Sequence, residues 1–140
     1  VPICVGERHY TRFGLRDVLE RHICDVVMPD ITRCGGPSEM KRMATMAEAY
    51  NTLIAPHNPN GPLSTLASAH VCASLPNFFR CEFMLNDVPW RDTVITEPLD
   101  VRDGFLHLSD RPGLGVDLVV DELERHPGVT DMNERENFYV

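Results

Sequence analysis

The sequence predicts an α/β fold: half of a (β/α)8 barrel of the TIM type, about four βα units, followed by a C-terminal extension. Three observations carry this reading. Four short apolar runs recur, each run ends in an ionisable residue, and the stretches between them have helical periodicity. The runs are ICVGE ending at Glu7, DVVMPD at Asp30, TLIAPH at His57 and FFRCE at Glu82, at intervals of 23, 27 and 25 residues. Each interval holds a strand, a loop and a crossover helix.

The runs themselves are short, nearly continuous and rich in Val, Ile, Leu and Phe. Strands of a parallel sheet, buried on both faces, have this composition. After the first run, Leu15, Val18, Leu19 and His22 fall on one helical face, with Arg16, Asp17, Glu20 and Arg21 elsewhere. After the second, Gly35-Gly36-Pro37 makes a tight turn with proline near the first helical position. Met40, Met43, Ala44, Ala47 and Tyr50 then form an apolar stripe. After the third, the loop NPNGP leads into Leu63, Leu66, Ala67, His70 and Val71 at similar spacing. His70 reads as a core or interface residue.

From about Met84 the pattern changes. Pro89, Pro98, Gly104, Pro112, Gly113 and Gly115 punctuate the chain, with a strand expected at Phe105–Leu108 and a brief helix within Asp117–Arg125. The apolar residues there are too dispersed for an independent core, so this part reads as a tail wrapping over something else, with Trp90 a candidate to cover the barrel mouth. An open doubly wound sheet is the competing architecture. Its nucleotide fingerprint is missing, since Gly113-Leu114-Gly115 sits in a proline-flanked turn after no convincing strand.

Composition narrows the function. The 140 residues are 43% apolar and 24% charged, with a formal net charge of −8. That balance suits a globular protein and argues against a nucleic-acid partner, which needs clustered Lys and Arg. No apolar run reaches membrane-spanning length, so no membrane partner is expected and a cytoplasmic location is the default. The five cysteines form no C-x-x-C pair, which points to small buried thiols rather than disulfides or zinc. The chain opens without Met directly on an apolar run, and half a barrel leaves two sheet edges to cover. Both suggest a missing N-terminal part.

In a barrel, residues at the C-terminal strand ends converge on one mouth, where catalytic groups sit. His57 is the natural base, because imidazole takes and returns a proton near neutrality. Asp30 suits the partner that fixes the ring tautomer and stabilises the imidazolium, or else a salt bridge between neighbouring loops. Glu7 suits a ligand of a hard divalent cation such as Mg²⁺, or a solvated loop carboxylate. Glu82 suits a hydrogen bond to a substrate carboxylate, an acid in an apolar surround, or a partner of Arg80. His9, His22, His107 and His126 have no ligand spacing. Gly35-Gly36 reads as a cap turn before an anion site.

The motifs VGERHYTR, VVMPDITRCGG, APHNPNGP and PNFFRCE, in this order and spacing, resemble the enolase superfamily, specifically the mandelate racemase subgroup and its galactonate dehydratase-like acid-sugar dehydratases. The segments DVPWRD and DRPGLGVDL are similar to the family's C-terminal part. The resemblance implies the C-terminal half of the barrel: strands five to eight in residues 1–84, and a C-terminal extension in 85–140 packing on an absent capping domain. It also implies Glu7 as the third Mg²⁺ ligand, Asp30 and His57 as a dyad on strands six and seven, and Glu82 ending strand eight. The implied reaction removes the α-proton of a small-molecule sugar acid and eliminates water, giving a 2-keto-3-deoxy acid. A racemase or epimerase, and an inactive remnant or assembly partner, are the alternatives. The full-length protein is expected to be a homo-oligomer, and this chain alone to be inactive.

Overall fold

The structure is a computed structural model and describes residues 1–84 and 87–128. Residues 85–86 and 129–140, which belong to the expected extension, lie outside the described residues.

Strands β1 (Cys4–Val5), β2 (Val26–Val27) and β3 (Leu53–Ile54) pair in parallel in that order, with Cys4, Val26 and Leu53 in register. A fourth segment joins the free edge of β3 through a parallel bridge between Ile54 and Phe78. Helices α1 (Thr11–Glu20), α2 (Pro37–Ala49) and α3 (Pro62–Cys72) follow the three strands in turn. The chain therefore has three complete βα units and a fourth strand segment, the repeat of a (β/α)8 barrel.

The strands are shorter than their apolar runs because of proline. Pro29 and Pro56 have no N–H to give the ladder, so regular pairing stops before them. Their carbonyls still accept, Pro29 from His57 N at 3.3 Å and Pro56 from Glu82 N at 3.2 Å. Alignment thus continues past the prolines, and Asp30 and His57 form a parallel bridge in the same register as Val26 and Leu53.

The helices cover one face of the sheet. Val27 and Ile54 are buried there with Leu15, Leu19, Met40, Met43, Ala44 and Ala47, and Val5 packs against them. Burying each Leu, Ile or Met of this layer contributes about 1.5–3 kcal/mol. Helix α2 starts as the sequence predicts, with Pro37 in its first turn after Gly36 at φ 84°. The Glu39 carboxylate accepts from Arg12 N at 2.9 Å, from the Arg12 guanidinium and from Arg42 at 3.2 Å. The ends of α1 and α2 are tied together in this way, and these three bonds hold the Glu39 carboxyl below the usual carboxylate range.

Three expectations change. His22 lies beyond the end of α1 at φ 50° and is exposed against the edge of Tyr50, because α1 stops at Glu20. The inward face of α3 is rotated: Thr65 and Ser68 are buried while Leu63 is half-buried. Thr65 turns inward because Asn58 needs it, as described below. Of the cysteines, Cys34 and Cys72 are buried and pushed up to about 11 and about 12 by burial, but Cys4 is exposed. Cys4 and Leu53 share the sheet face that none of the described helices covers, where Leu53 is 39% exposed.

Beyond the barrel units, Val101–Arg102 (β4) and Phe105–Leu106 (β5) form an antiparallel hairpin across Asp103-Gly104. A short helix, α4, spans Val120–Arg125. Val94 and Ile95 are buried, Ile95 bridging Leu118, and Gly113-Leu114 lies across the outer groove between α2 and α3. Trp90 stacks on His126 with ring centroids 4.4 Å apart. That contact is internal to the extension.

Candidate active site at the strand ends

Strand residues alternate between faces, so Val26, Met28 and Asp30 share one side, as do Leu53, Ala55 and His57. This is the side opposite the helices. Asp30 and His57 therefore meet at the C-terminal ends of β2 and β3, on the face that lines a barrel's interior. His57 Nδ1 lies 3.0 Å from Asp30 Oδ2.

The Asp30 side chain is 0% exposed and that of His57 17%. A buried carboxylate needs its lone pairs filled. Asp30 Oδ1 accepts from Thr32 N at 2.8 Å and Thr32 Oγ1 at 2.7 Å. The Asn60 amide donates across both oxygens at 3.2 and 3.1 Å, and Arg33 Nε stands 3.6 Å from Oδ2. Burial opposes ionisation, but the hydrogen bonds from Thr32, His57 and Asn60 outweigh it and hold the Asp30 carboxyl below its usual range.

Glu82 reaches the same site by an irregularity. The fourth segment pairs Phe78 with Ile54, yet Glu82 N donates to Pro56 O, which puts Cys81 opposite Pro56. Three residues step along this segment where two step along β3. One extra residue in a strand is a bulge, and it changes which face every later side chain takes. Glu82 consequently falls beside His57. Its Oε2 accepts from Asn58 N at 2.8 Å and its backbone carbonyl from Asn58 Nδ2 at 3.1 Å. Asn58 is fully buried, donating also to Thr65 Oγ1 at 2.8 Å and accepting from Ser64 Oγ at 3.1 Å. Glu82 itself is exposed.

Glu7 follows β1 by two residues in a turn closed by His9 N on Gly6 O at 2.9 Å. Gly6 has φ 145°, and a Cβ there would stand 2.7 Å from Met28 N, so the turn needs glycine against β2. Glu7 Oε2 accepts from Gly6 N at 3.3 Å and the side chain is half-buried. Its own backbone N–H and that of Gly6, with the charges of His57 and Arg8, hold its carboxyl below the usual range against the cost of partial burial. Among the described residues, no group of three or more His, Cys, Asp and Glu side chains is placed to hold a metal ion. Glu7 fits a hard cation as one oxygen ligand of a set, its carboxylate being ionised and only lightly engaged.

All four residues singled out in the sequence thus lie at strand ends in one candidate site, where Asp30 and His57 bond each other and Glu82 bonds Asn58, the residue after His57. Thr32, Asn58, Asn60 and Arg91 complete it and were not foreseen. The two asparagines flank Pro59 in APHNPNGP, where a polar pair beside His57 was the only signal. Arg91 comes from the extension: its Nη1 donates to Asn60 O at 2.9 Å while Nε and Nη2 pair with Asp87. Arg91 is 8% exposed. A cavity of about 480 Å³ opens beside Arg91, between Phe83, Pro89, Leu99 and Val101. It contains none of the strand-end acids. Among the described residues no helix is long and apolar enough to cross a membrane.

Comparison with known proteins agrees with the fold. The enolase C-terminal domain-like family matches residues 1–122. The chain is 36% identical to the D-xylonate dehydratase of Haloferax volcanii over 125 residues, covering 89% of the chain and 30% of that protein. It is 33% identical to the arabinonate dehydratase of Saccharolobus solfataricus, covering 82% of the chain and 31% of that protein. Among solved structures, a mandelate racemase/muconate lactonizing enzyme-like protein from Rubrobacter xylanophilus superposes with a TM-score of 0.85 at 39% identity, covering 91% of this chain and 33% of that one. A mandelate racemase/muconate lactonizing enzyme from a Sulfitobacter species gives 0.87 at 34% identity, with 94% and 33% covered. The chain spans about a third of the length of these relatives.

Proposed function

The chain belongs to the enolase C-terminal domain-like family, and from that premise we propose that it supplies part of the active site of a Mg²⁺-dependent acid-sugar dehydratase. The observation that carries the reading is the 3.0 Å contact between His57 Nδ1 and the buried, ionised Asp30 carboxylate. Held this way, Nδ1 donates its proton to Asp30 and Nε2 keeps a free lone pair. That is the arrangement of a general base.

The substrate is a sugar acid, whose α-proton beside a carboxylate is very weakly acidic. Glu7 is one ligand of the divalent cation, and the remaining ligands are assigned to parts of the protein outside these 140 residues. When bound, the ion supplies positive charge to the substrate carboxylate. His57 Nε2 takes the α-proton, and Asp30 stabilises the imidazolium that results. The β-hydroxyl then departs as water with a proton from an acid, and the enol product tautomerises to a 2-keto-3-deoxy acid. Glu82, an exposed acceptor anchored on Asn58 N, is assigned to a substrate hydroxyl rather than to the acid. A full-length homo-oligomer, a cytoplasmic location, and a division into residues 1–84 and an extension 85–140 reaching a capping domain belong to the same proposal.

The same dyad would serve a racemase or epimerase, and the dehydratases among its relatives favour elimination. The experiment incubates the full-length protein with Mg²⁺ and a panel of sugar acids in D₂O. A keto-deoxy acid is expected. Recovered substrate carrying deuterium with inverted α-configuration, and no keto product across the panel, would replace elimination with racemisation. No reaction at all would favour an inactive assembly partner.

A further inference from the structure

The proton-transfer reading assigns Asp30 to hold His57, which leaves open what holds Asp30. Thr32 is one answer, and it is local: its N–H and hydroxyl both reach Oδ1, so they anchor one oxygen. Two bonds to a single oxygen still leave the carboxylate able to turn about that anchor. The second oxygen, Oδ2, is the one that faces His57. Asn60 is the group that spans both, its Nδ2 lying 3.2 Å from Oδ1 and 3.1 Å from Oδ2. An amide straddling a carboxylate fixes the plane of the carboxylate as well as its position.

Asn60 is itself secured from elsewhere in the chain. Its carbonyl accepts Arg91 Nη1 at 2.9 Å, and the other two guanidinium nitrogens that form bonds are taken by Asp87. Arginine presents its donors in a rigid planar fork, so the Asp87 pair sets the direction in which Nη1 points. Pro59, between Asn58 and Asn60, stiffens the loop from within. The segment following the barrel units therefore grips the one loop residue that touches both oxygens of the dyad carboxylate.

We propose that Asn60, clamped by Arg91 and Asp87 of the C-terminal extension, is a positioning residue that orients Asp30 toward His57, so that the extension sets the alignment of the catalytic base. This deepens and rests on the proton-transfer reading of the dyad. Its consequence is that Asn60 acts through Asp30 alone, with no contact to substrate. Removing such a partner of a catalytic group typically costs about ten- to a hundredfold in activity.

The test uses the full-length protein and two readouts on Asn60→Ala, Asp30→Asn and the double variant. The first is turnover of the sugar acid: Asn60→Ala lowers kcat about tenfold or more with KM little changed. The second is the rate at which diethyl pyrocarbonate labels His57 at fixed pH, read by peptide mass spectrometry, which Asn60→Ala also alters. In the Asp30→Asn background, adding Asn60→Ala changes neither readout, because the two residues form one unit. Independent, additive losses in the double variant would overturn the proposal, as would a change in KM alone. Asn60→Asp, nearly isosteric, covers the case in which the alanine variant does not fold, and it is expected to lose activity through carboxylate repulsion. Arg91→Met is expected to give the same kcat loss in smaller measure, partly restored by added guanidinium, and wild-type kcat in Arg91→Met would remove the extension from the proposal. If wild-type protein eliminates water from no sugar acid while the His57 labelling pattern holds, the dehydratase reading fails and the positioning role stands.

Discussion

The Glu82 carboxylate accepts the backbone N–H of Asn58 at 2.8 Å, which ties the acid of the fourth strand segment to the residue that follows His57. The bond is made to backbone, so it locates Glu82 whatever side chain occupies position 58. It also consumes only one carboxylate oxygen. A variant that keeps an acceptor there should keep the tie.

The first prediction follows from that bond. In the full-length protein, Glu82→Gln, with its carbonyl oxygen still able to accept from Asn58, should retain more of the proposed activity than Glu82→Ala. Losing the acceptor leaves the Asn58 N–H without its partner, a cost of about 1–3 kcal/mol where the group is buried. Steady-state kinetics of both variants with thermal unfolding check it. Equal activity in the two would mean that the carboxylate's charge, not its bond to Asn58, is what matters.

The dyad supplies the second. His57→Asn should remove proton abstraction, with a loss on the order of a hundredfold to ten-thousandfold. Asp30→Asn should also lose activity, through the wrong tautomer and a misplaced ring. Exchange of the substrate α-proton with D₂O isolates this step from elimination. Undiminished exchange in His57→Asn would show that another group is the base.

Metal dependence gives the third. With Glu7 as one ligand among several, Glu7→Gln should weaken Mg²⁺ binding and be rescued in part by high Mg²⁺. Titration of activity against Mg²⁺ in the full-length protein measures it. On this chain alone, calorimetry should find only weak Mg²⁺ binding, since one carboxylate does not make a site. Micromolar affinity centred on Glu7 would contradict that assignment.

Stability against pH provides the fourth. The folded Asp30 carboxyl is held below its usual range, mainly by hydrogen bonds that overcome burial. A depressed folded pKa contributes stability that is complete above the unfolded value, about 3.9 for Asp, and is lost as pH falls through the lower folded value. The melting temperature of wild type should therefore exceed that of Asp30→Asn at neutral pH, and the gap should close as pH falls below about 4. A gap that stays constant down to pH 3 would mean that Asp30 stabilises the fold by shape rather than by charge.

Periodicity made the βα units legible, because a buried parallel strand and an amphipathic helix each impose a pattern on neighbouring residues. The residues at the ends of the apolar runs, Asp30 and His57, were legible for the same reason. What stayed hidden depends on contacts distant in sequence. Nothing local to Arg91 says that its guanidinium meets the Asn60 carbonyl, 31 residues back. Thr65 looks like a surface position on α3 until its hydroxyl is seen to accept from the buried Asn58 amide. His22 continued the apolar stripe of α1 on paper, but the helix had already ended.

The bulge between Phe78 and Cys81 makes the phase of this short segment a heritable trait in its own right. Side chains along a strand are read in twos, and here a single odd step decides whether the last acid looks into the barrel or out through its wall. Paired without that extra step, a segment of the same length would carry Glu82 one position further, opposite Asn58, and turn it away from His57. A chain one residue shorter between these two points, and regularly paired, would therefore keep its carboxylate in the same place without the bulge.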